Sequence, residues 1–248
     1  MKMTGNTIFI TGGGSGIGQA LAKAFHERGN KVIIAGRRLD VLKKTAAALP
    51  GVDVRELDIR DPVSITDAAD WLVMTHPDVN VLINNAGIMA SDATGGFMDD
   101  ALNAATVETN LLGPLRLTSA LIEHLKTRPD AAVVNVTSGL AFTPLASSAV
   151  YSATKAALHS WTLSLRYRLK GTSVQVREVA PPWVQTDLMP GQREEPRAMP
   201  LDAFIKETMD SFATGADEVL VERVRPLRDN AGPNEWAFVE KFNDMLAH

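Results

Sequence analysis

The run Thr7-Ile8-Phe9-Ile10-Thr11 is followed at once by Gly12-Gly13-Gly14-Ser15-Gly16-Ile17-Gly18, then by helically spaced Ile17, Leu21, Ala24 and Phe25. No other stretch restricts the fold as much. The first five residues read as a strand. Glycines directly after a strand let the backbone turn tightly and approach a ligand closely. The helix that begins there offers unbonded N–H groups and the positive end of its dipole. Strand, glycine turn and helix in that order form a turn suited to a pyrophosphate. Gly12, Ser15, Gly16, Ile17 and Gly18 are its candidate contacts. The spacing is Gly12-x-x-x-Gly16-x-Gly18, not the commoner G-x-G-x-x-G.

The alternation continues along the chain. Strands are predicted at 31–35, 52–57, 80–83, 131–136 and 173–179. Between and after them, helical spacing appears at 39–49, 62–75, 99–126, 149–169, 216–224 and 233–246, with Gly113-Pro114 kinking the third long segment. Six strands alternating with helices predict an α/β fold: a doubly wound parallel sheet, Rossmann-like, in three α/β/α layers. The whole of 1–248 reads as a single domain. The stretch 187–215 carries three prolines and scattered apolar residues, and is expected to be an irregular substrate-binding loop or lid.

In such a sheet the ligand crevice lies at the C-terminal ends of the strands. Arg37, Asp58, Asn85, Ser138 and the stretch 181–186 all follow predicted strands, so they should gather with the glycine turn along one edge. After the second strand, dinucleotide folds often place an acid for a ribose hydroxyl. Here Gly36 is followed by Arg37, whose guanidinium suits the extra 2′-phosphate of NADP. NADP(H) is therefore the expected cofactor, with NAD(H) the alternative. Arg38 reads as solvated.

Tyr151 and Lys155 fall on one predicted helix. Four helical residues turn through about 400°, so the two side chains lie about 40° apart, one turn from each other. A free phenol has a pKa of about 10 and is a poor acid or base at neutral pH. An ammonium group beside it is expected to lower that value, which makes the pair a candidate general acid/base.

The composition excludes several other chemistries. Cysteine is absent, so there are no disulfides, thiolate ligands or thiol nucleophiles. A formal charge of −4 gives no footprint for nucleic acid or an anionic membrane. No long apolar run or leader-like N-terminus is apparent, so a cytoplasmic location is expected. The five histidines, 26, 76, 124, 159 and 248, show no metal-binding spacing, and His159 is expected to be packed or solvated.

Taken together, TGGGSGIG, Leu57-Asp58-Ile59, Asn84-Asn85-Ala86-Gly87, Asn110 in ETN, Ser138 in VTSG and YSATK from Tyr151 make the chain resemble the short-chain dehydrogenase/reductase family. The likeness runs from about residue 7 to 186. It implies hydride transfer between a nicotinamide and a ketone, aldehyde or secondary alcohol. By this resemblance Tyr151 is the acid/base, and Lys155 tunes it and holds the nicotinamide ribose. Ser138 bonds the reacting oxygen, and Asn110 holds a water that relays protons from Lys155. Asp58 contacts the adenine amino group with Ile59 beside it, and Asn85 through Gly87 border the adenine ribose. Val184 and Thr186 meet the nicotinamide carboxamide.

Two departures from the family pattern stand out. Pro181-Pro182 replaces the usual Pro-Gly, which stiffens the backbone beside the nicotinamide. No seventh strand is predicted after Ala216. A homodimer through the two long helices, 99–126 and 149–169, is expected, and a tetramer contact through a seventh strand is left open. Met89, Leu140, Phe142, Trp183 and the apolar residues of 187–215 are the expected substrate lining, which favours an apolar carbonyl compound or alcohol. A reading of another class is a catalytically idle nucleotide-sensing regulator on the same fold.

Overall fold

The computed structural model describes residues 1–230 and 232–246; His248 lies outside them. Seven strands are found among these residues: β1 (Thr7–Thr11), β2 (Lys31–Gly36), β3 (Asp53–Glu56), β4 (Val81–Asn84), β5 (Ala132–Val136), β6 (Gln175–Val179) and β7 (Glu218–Val219). All pair in parallel, in the order β3-β2-β1-β4-β5-β6-β7. The strand order changes direction between β1 and β4, which opens a crevice there.

The helices are α1 (Gly16–His26), α2 (Leu39–Ala47), α3 (Pro62–Thr75), α4 (Asp100–Val107), α5 (Gly113–Lys126), α6 (Ala149–Arg168), α7 (Leu201–Ala213), α8 (Arg225–Arg228) and α9 (Glu235–Leu246). Side chains alternate across each strand and feed two apolar layers. Ile8 and Ile10 pack with Leu21 and Phe25 of α1, Leu42 of α2 and Phe204, Met209 and Phe212 of α7. Phe9 and Ile33 pack on the other side with Ile65 and Leu72 of α3, and Leu117 and Leu121 of α5. Strands covered on both faces read as continuous apolar runs, as β1, β2 and β4 do.

Three expectations change. The stretch 187–215 is not irregular throughout, because Leu201–Ala213 is helix α7 and buries Phe204, Thr208, Met209 and Phe212. Residues 216–224 are not a helix: they form β7, paired with β6 through Glu178↔Glu218 and Val179↔Val219, and a 3-10 turn at Glu222–Val224. A seventh strand thus exists, although it is two residues long. The long helix at 99–126 is interrupted before the proline rather than bent at it. Glu108–Leu112 is a π-helical turn in which the Gly113 N–H reaches back to the Glu108 carbonyl. Pro114 has no N–H to continue the α-helical ladder, which accounts for the wide turn ahead of it.

Candidate active site

The glycine turn after β1 meets the loop after β4 across the crevice. The Thr11 hydroxyl accepts the N–H groups of Asn85 and Ala86, each at 3.0 Å. The Asn85 amide donates to the Thr11 carbonyl at 2.9 Å. Gly12 has φ +68°, and a Cβ there would lie 2.9 Å from the Asn85 amide nitrogen. Ser15, the N-cap of α1, makes no side-chain cap bond, and the first turn of α1 carries no acidic side chain. The helix start is therefore left electropositive.

A cleft of about 420 Å³ runs from this turn to α6. Of the sequence candidates, Gly12, Ser15, Gly16, Ile17, Arg37, Ile59, Asn85, Gly87, Ser138, Tyr151, Lys155, Val184 and Thr186 line it. Three do not. Gly18 packs against the turn, where a Cβ would stand 2.3 Å from the Gly12 carbonyl oxygen. A glycine is thus required there for the packing of α1 against the turn. The partly exposed Asp58 sits between the lining residues Leu57 and Ile59, and its carboxylate accepts the Arg60 N–H at 3.0 Å. Burial alone would raise the Asp58 pKa, but the Arg60 bonds and the charges of Arg60 and Arg37 lower it overall. Asn110 is fully buried. Its Oδ1 accepts the Ile88 N–H at 2.9 Å, and its Nδ2 donates to the Ile88 carbonyl at 2.9 Å and to Thr154 Oγ1 at 3.2 Å. Asn110 thus ties the loop after β4 to the helix that carries Tyr151.

Tyr151 and Lys155 are both buried, on the face of α6 turned to the end of β5. Lys155 Nζ donates to the Val136 carbonyl at 2.9 Å. Its ammonium is not among the causes that shift the phenol. Burial pushes Tyr151 up to about 12, while a hydrogen bond with Ser138 pulls the other way. Burial likewise brings Lys155 down to about 8. Removing both charged forms from water outweighs their mutual attraction. Ser138 also accepts the Leu140 N–H at 3.1 Å, which fixes the turn Gly139–Ala141.

Some cleft residues escaped the sequence reading. Arg38 lines the cleft beside Arg37. Gln192 lies almost wholly inside, where its Nε2 donates to the Val184 carbonyl at 2.7 Å and to Thr186 Oγ1 at 3.1 Å. Of the expected substrate lining, Met89 and Leu188 reach the cleft. Phe204, Met209 and Phe212 do not, being core residues of α7. Trp183 lies under the Arg197 guanidinium, 5.2 Å from its ring centre. Phe142 is held between His159 and Arg228. Among the described residues no helix is long and apolar enough to cross a membrane.

Comparison with known proteins agrees with this fold. Residues 6–197 match the short chain dehydrogenase family. The Bacillus subtilis (strain 168) protein named uncharacterized oxidoreductase DltE is 42% identical over 248 residues, 98% of each chain. The uncharacterized oxidoreductase SAR2567 of Staphylococcus aureus (strain MRSA252) is 32% identical over 186 residues, 74% of this chain and 80% of that one. Among solved structures, a Burkholderia cenocepacia J2315 short chain dehydrogenase in complex with NADP superposes with a TM-score of 0.82 at 27% identity, covering 97% of this chain and 98% of its own. A Burkholderia phymatum short-chain dehydrogenase/reductase in complex with NAD shares the fold, with a TM-score of 0.82 at 21% identity over 92% and 93% of the two chains. The chain belongs to the short-chain dehydrogenase/reductase family, the NAD(P)-dependent oxidoreductases of CH–OH and C=O groups.

Proposed function

We propose that the protein transfers a hydride between NADP(H) and a ketone, aldehyde or secondary alcohol, with Tyr151 as general acid/base. The observation that carries this reading is one cleft holding the glycine turn and Arg37 at one end and Ser138, Tyr151 and Lys155 at the other. The nicotinamide cofactor supplies or accepts the hydride. The residues present fit such a cofactor. Gly12 leaves a cradle that a side chain would fill, and the start of α1 suits a pyrophosphate. Arg37, with Arg38 beside it, would hold the 2′-phosphate. Val184 and Thr186 would hold the carboxamide, and Asn85 to Gly87 the adenine ribose.

At the other end, Ser138 stands near enough to Tyr151 to pull its pKa down against the effect of burial, and both line the same cleft, so both hydroxyls can donate to one substrate oxygen placed between them. With its pKa raised, Tyr151 is protonated at neutral pH, the form that reduction of a carbonyl requires. Lys155, brought down to about 8, exchanges its proton near neutral pH and can resupply Tyr151. Asn110, bonded to Ile88 and Thr154, would order the water that links Lys155 to solvent. Met89 and Leu188 give the open side of the cleft an apolar character, which favours an apolar substrate. The segment 187–195, tied down by Gln192, would act as the movable cover. The exposed Leu163 and Tyr167 on α6 fit the expected homodimer.

The test is consumption of NADPH, followed by absorbance, with a panel of ketones and aldehydes, and the same panel with NADH. Turnover with NADPH on at least one compound is expected. Tight NADPH binding without turnover on any compound would favour the idle nucleotide sensor instead.

A further inference from the structure

One row of polar side chains crosses the sheet just below its catalytic edge. Asn84, Asn135, Glu178 and Glu218 are consecutive in-register partners on β4, β5, β6 and β7. Each is tied to a helix. Asn84 Nδ2 donates to Thr118 Oγ1 of α5 at 3.0 Å and to Asn135 Oδ1 at 2.8 Å. Asn135 Nδ2 donates to Thr162 Oγ1 of α6 at 2.9 Å. The Glu178 carboxylate faces His159 Nδ1 of α6 at 2.8 and 3.0 Å. Glu218 accepts from Arg228 Nε of α8 at 2.8 Å.

We propose that the Glu178–His159 pair is a positioning unit that sets α6, and with it Tyr151 and Lys155, against the Ser138 turn. This rests on the function proposed above.

The geometry supports the inference from both sides. His159 is one turn beyond Lys155 and two beyond Tyr151, on the same side of α6. Glu178 is fully buried and also accepts from the Thr137 hydroxyl at 2.6 Å. Thr137 is the residue before Ser138, so one carboxylate grips both the helix bearing the acid/base and the turn bearing its partner. The His159 ring meets the edge of Phe142 at 5.0 Å between centres, and Arg228 covers Phe142 at 4.9 Å. The Thr143 hydroxyl donates to the Leu227 carbonyl at 3.0 Å. The segment after Ser138 is therefore clamped between α6 and α8. A buried carboxylate fixes its neighbours strongly, since losing a donor leaves a charge out of water without compensation.

His159, Glu178 and Glu218 also place ligand-capable atoms within 4.8 Å of one another. Arg228 already supplies positive charge to Glu218, and Thr137 a donor to Glu178, so the cluster works as a hydrogen-bonded network without a metal ion.

The test compares His159→Leu, His159→Asn and Glu178→Gln with the unaltered protein. The Asn amide nitrogen falls near the place of His Nδ1 and keeps a donor for Glu178. The assay uses NADPH with phenanthrenequinone as the carbonyl probe. It is paired with NADPH affinity from tryptophan fluorescence, thermal melts and amide hydrogen exchange at 139–142 and 149–156. His159→Leu is expected to lower kcat about tenfold or more with NADPH affinity within about twofold, and to speed exchange in both segments. His159→Asn is expected to restore most of the rate and the slow exchange. Should His159→Leu not fold, Glu178→Gln decides. It keeps the volume, and is expected to lower kcat about threefold or more with the same exchange pattern. Unchanged kcat and exchange in the variants, or equal losses in His159→Leu and His159→Asn, would overturn the proposal. Absence of NADPH consumption by the unaltered protein with any carbonyl counts against the proposed function alone, and hydrogen exchange then decides the positioning role.

Discussion

Lys155 Nζ stands 5.6 Å from the centre of the Tyr151 ring while donating to the Val136 carbonyl at 2.9 Å. The strand end thus holds the ammonium at a fixed distance from the phenol. Both groups are buried, and both titrate against their charged forms.

A stability effect follows, and its sign is definite. Lys155 has a folded pKa of about 8 against 10.5 in the unfolded chain. Below pH 8 the folded protein carries a buried ammonium at a cost, and that cost disappears as the pH rises towards 10.5. Tyr151 acts oppositely: its folded pKa of about 12 exceeds the unfolded 10, so stability falls as the pH rises above 10. Lys155→Met should therefore raise the cofactor-free Tm at pH 7, by roughly 4 °C after the lost Val136 bond is allowed for. The gain should vanish near pH 10.5, which melts across a pH series will check.

Arg37 is the expected anchor of the 2′-phosphate. Removing one charge-assisted contact costs about 1.5–3 kcal/mol, so Arg37→Ala should weaken NADPH binding roughly 10- to 100-fold. NADH binding should hardly change. Titration of both cofactors into both proteins measures the difference, and unchanged NADPH affinity would defeat the 2′-phosphate assignment.

Gly18→Ala tests the packing of α1 against the glycine turn. The new methyl would meet the Gly12 carbonyl oxygen at 2.3 Å and the Asn85 amide nitrogen at 2.4 Å. Backbone atoms cannot yield cheaply, so the turn must open. Thermal unfolding should show a loss of about 1–3 kcal/mol, together with weaker binding of both cofactors.

Helix α7 is part of the core, with Phe204 fully buried. Phe204→Ala should cost about 3–5 kcal/mol in chemical denaturation. A loss below about 1 kcal/mol, the scale of an exposed site, would mean that 201–213 behaves as a detachable cover.

The contrast between α7 and β1 explains what the sequence made legible. β1, β2 and β4 are largely apolar runs covered on both faces, and that covering requires the pattern that announces them. α7 has the spacing Leu201, Phe204, Ile205, Thr208, Met209 and Phe212, but three prolines precede it and disguised its start; Pro200 is in fact its N-cap residue. β7 is two residues, too short for any periodicity, and it is a strand only through its pairing with Glu178 and Val179 of β6. In the site, residues on strand-end turns were readable because the turn itself needs glycine or a small polar side chain. Side-chain direction was not: Gly113-Pro114 announces a break in the helix, but not that the break is a π-helical turn in which Asn110 bonds Ile88. Glu178 and His159 are 19 residues apart and meet only through the packing of α6 on β6.

The most direct measurement is the rate of NADPH oxidation by Tyr151→Phe with the best carbonyl substrate from the panel. The change removes one hydroxyl and keeps the ring under Lys155. The account predicts a fall in kcat of about 100-fold or more with NADPH affinity nearly unchanged. A variant that turns over as fast as the unaltered protein would contradict it.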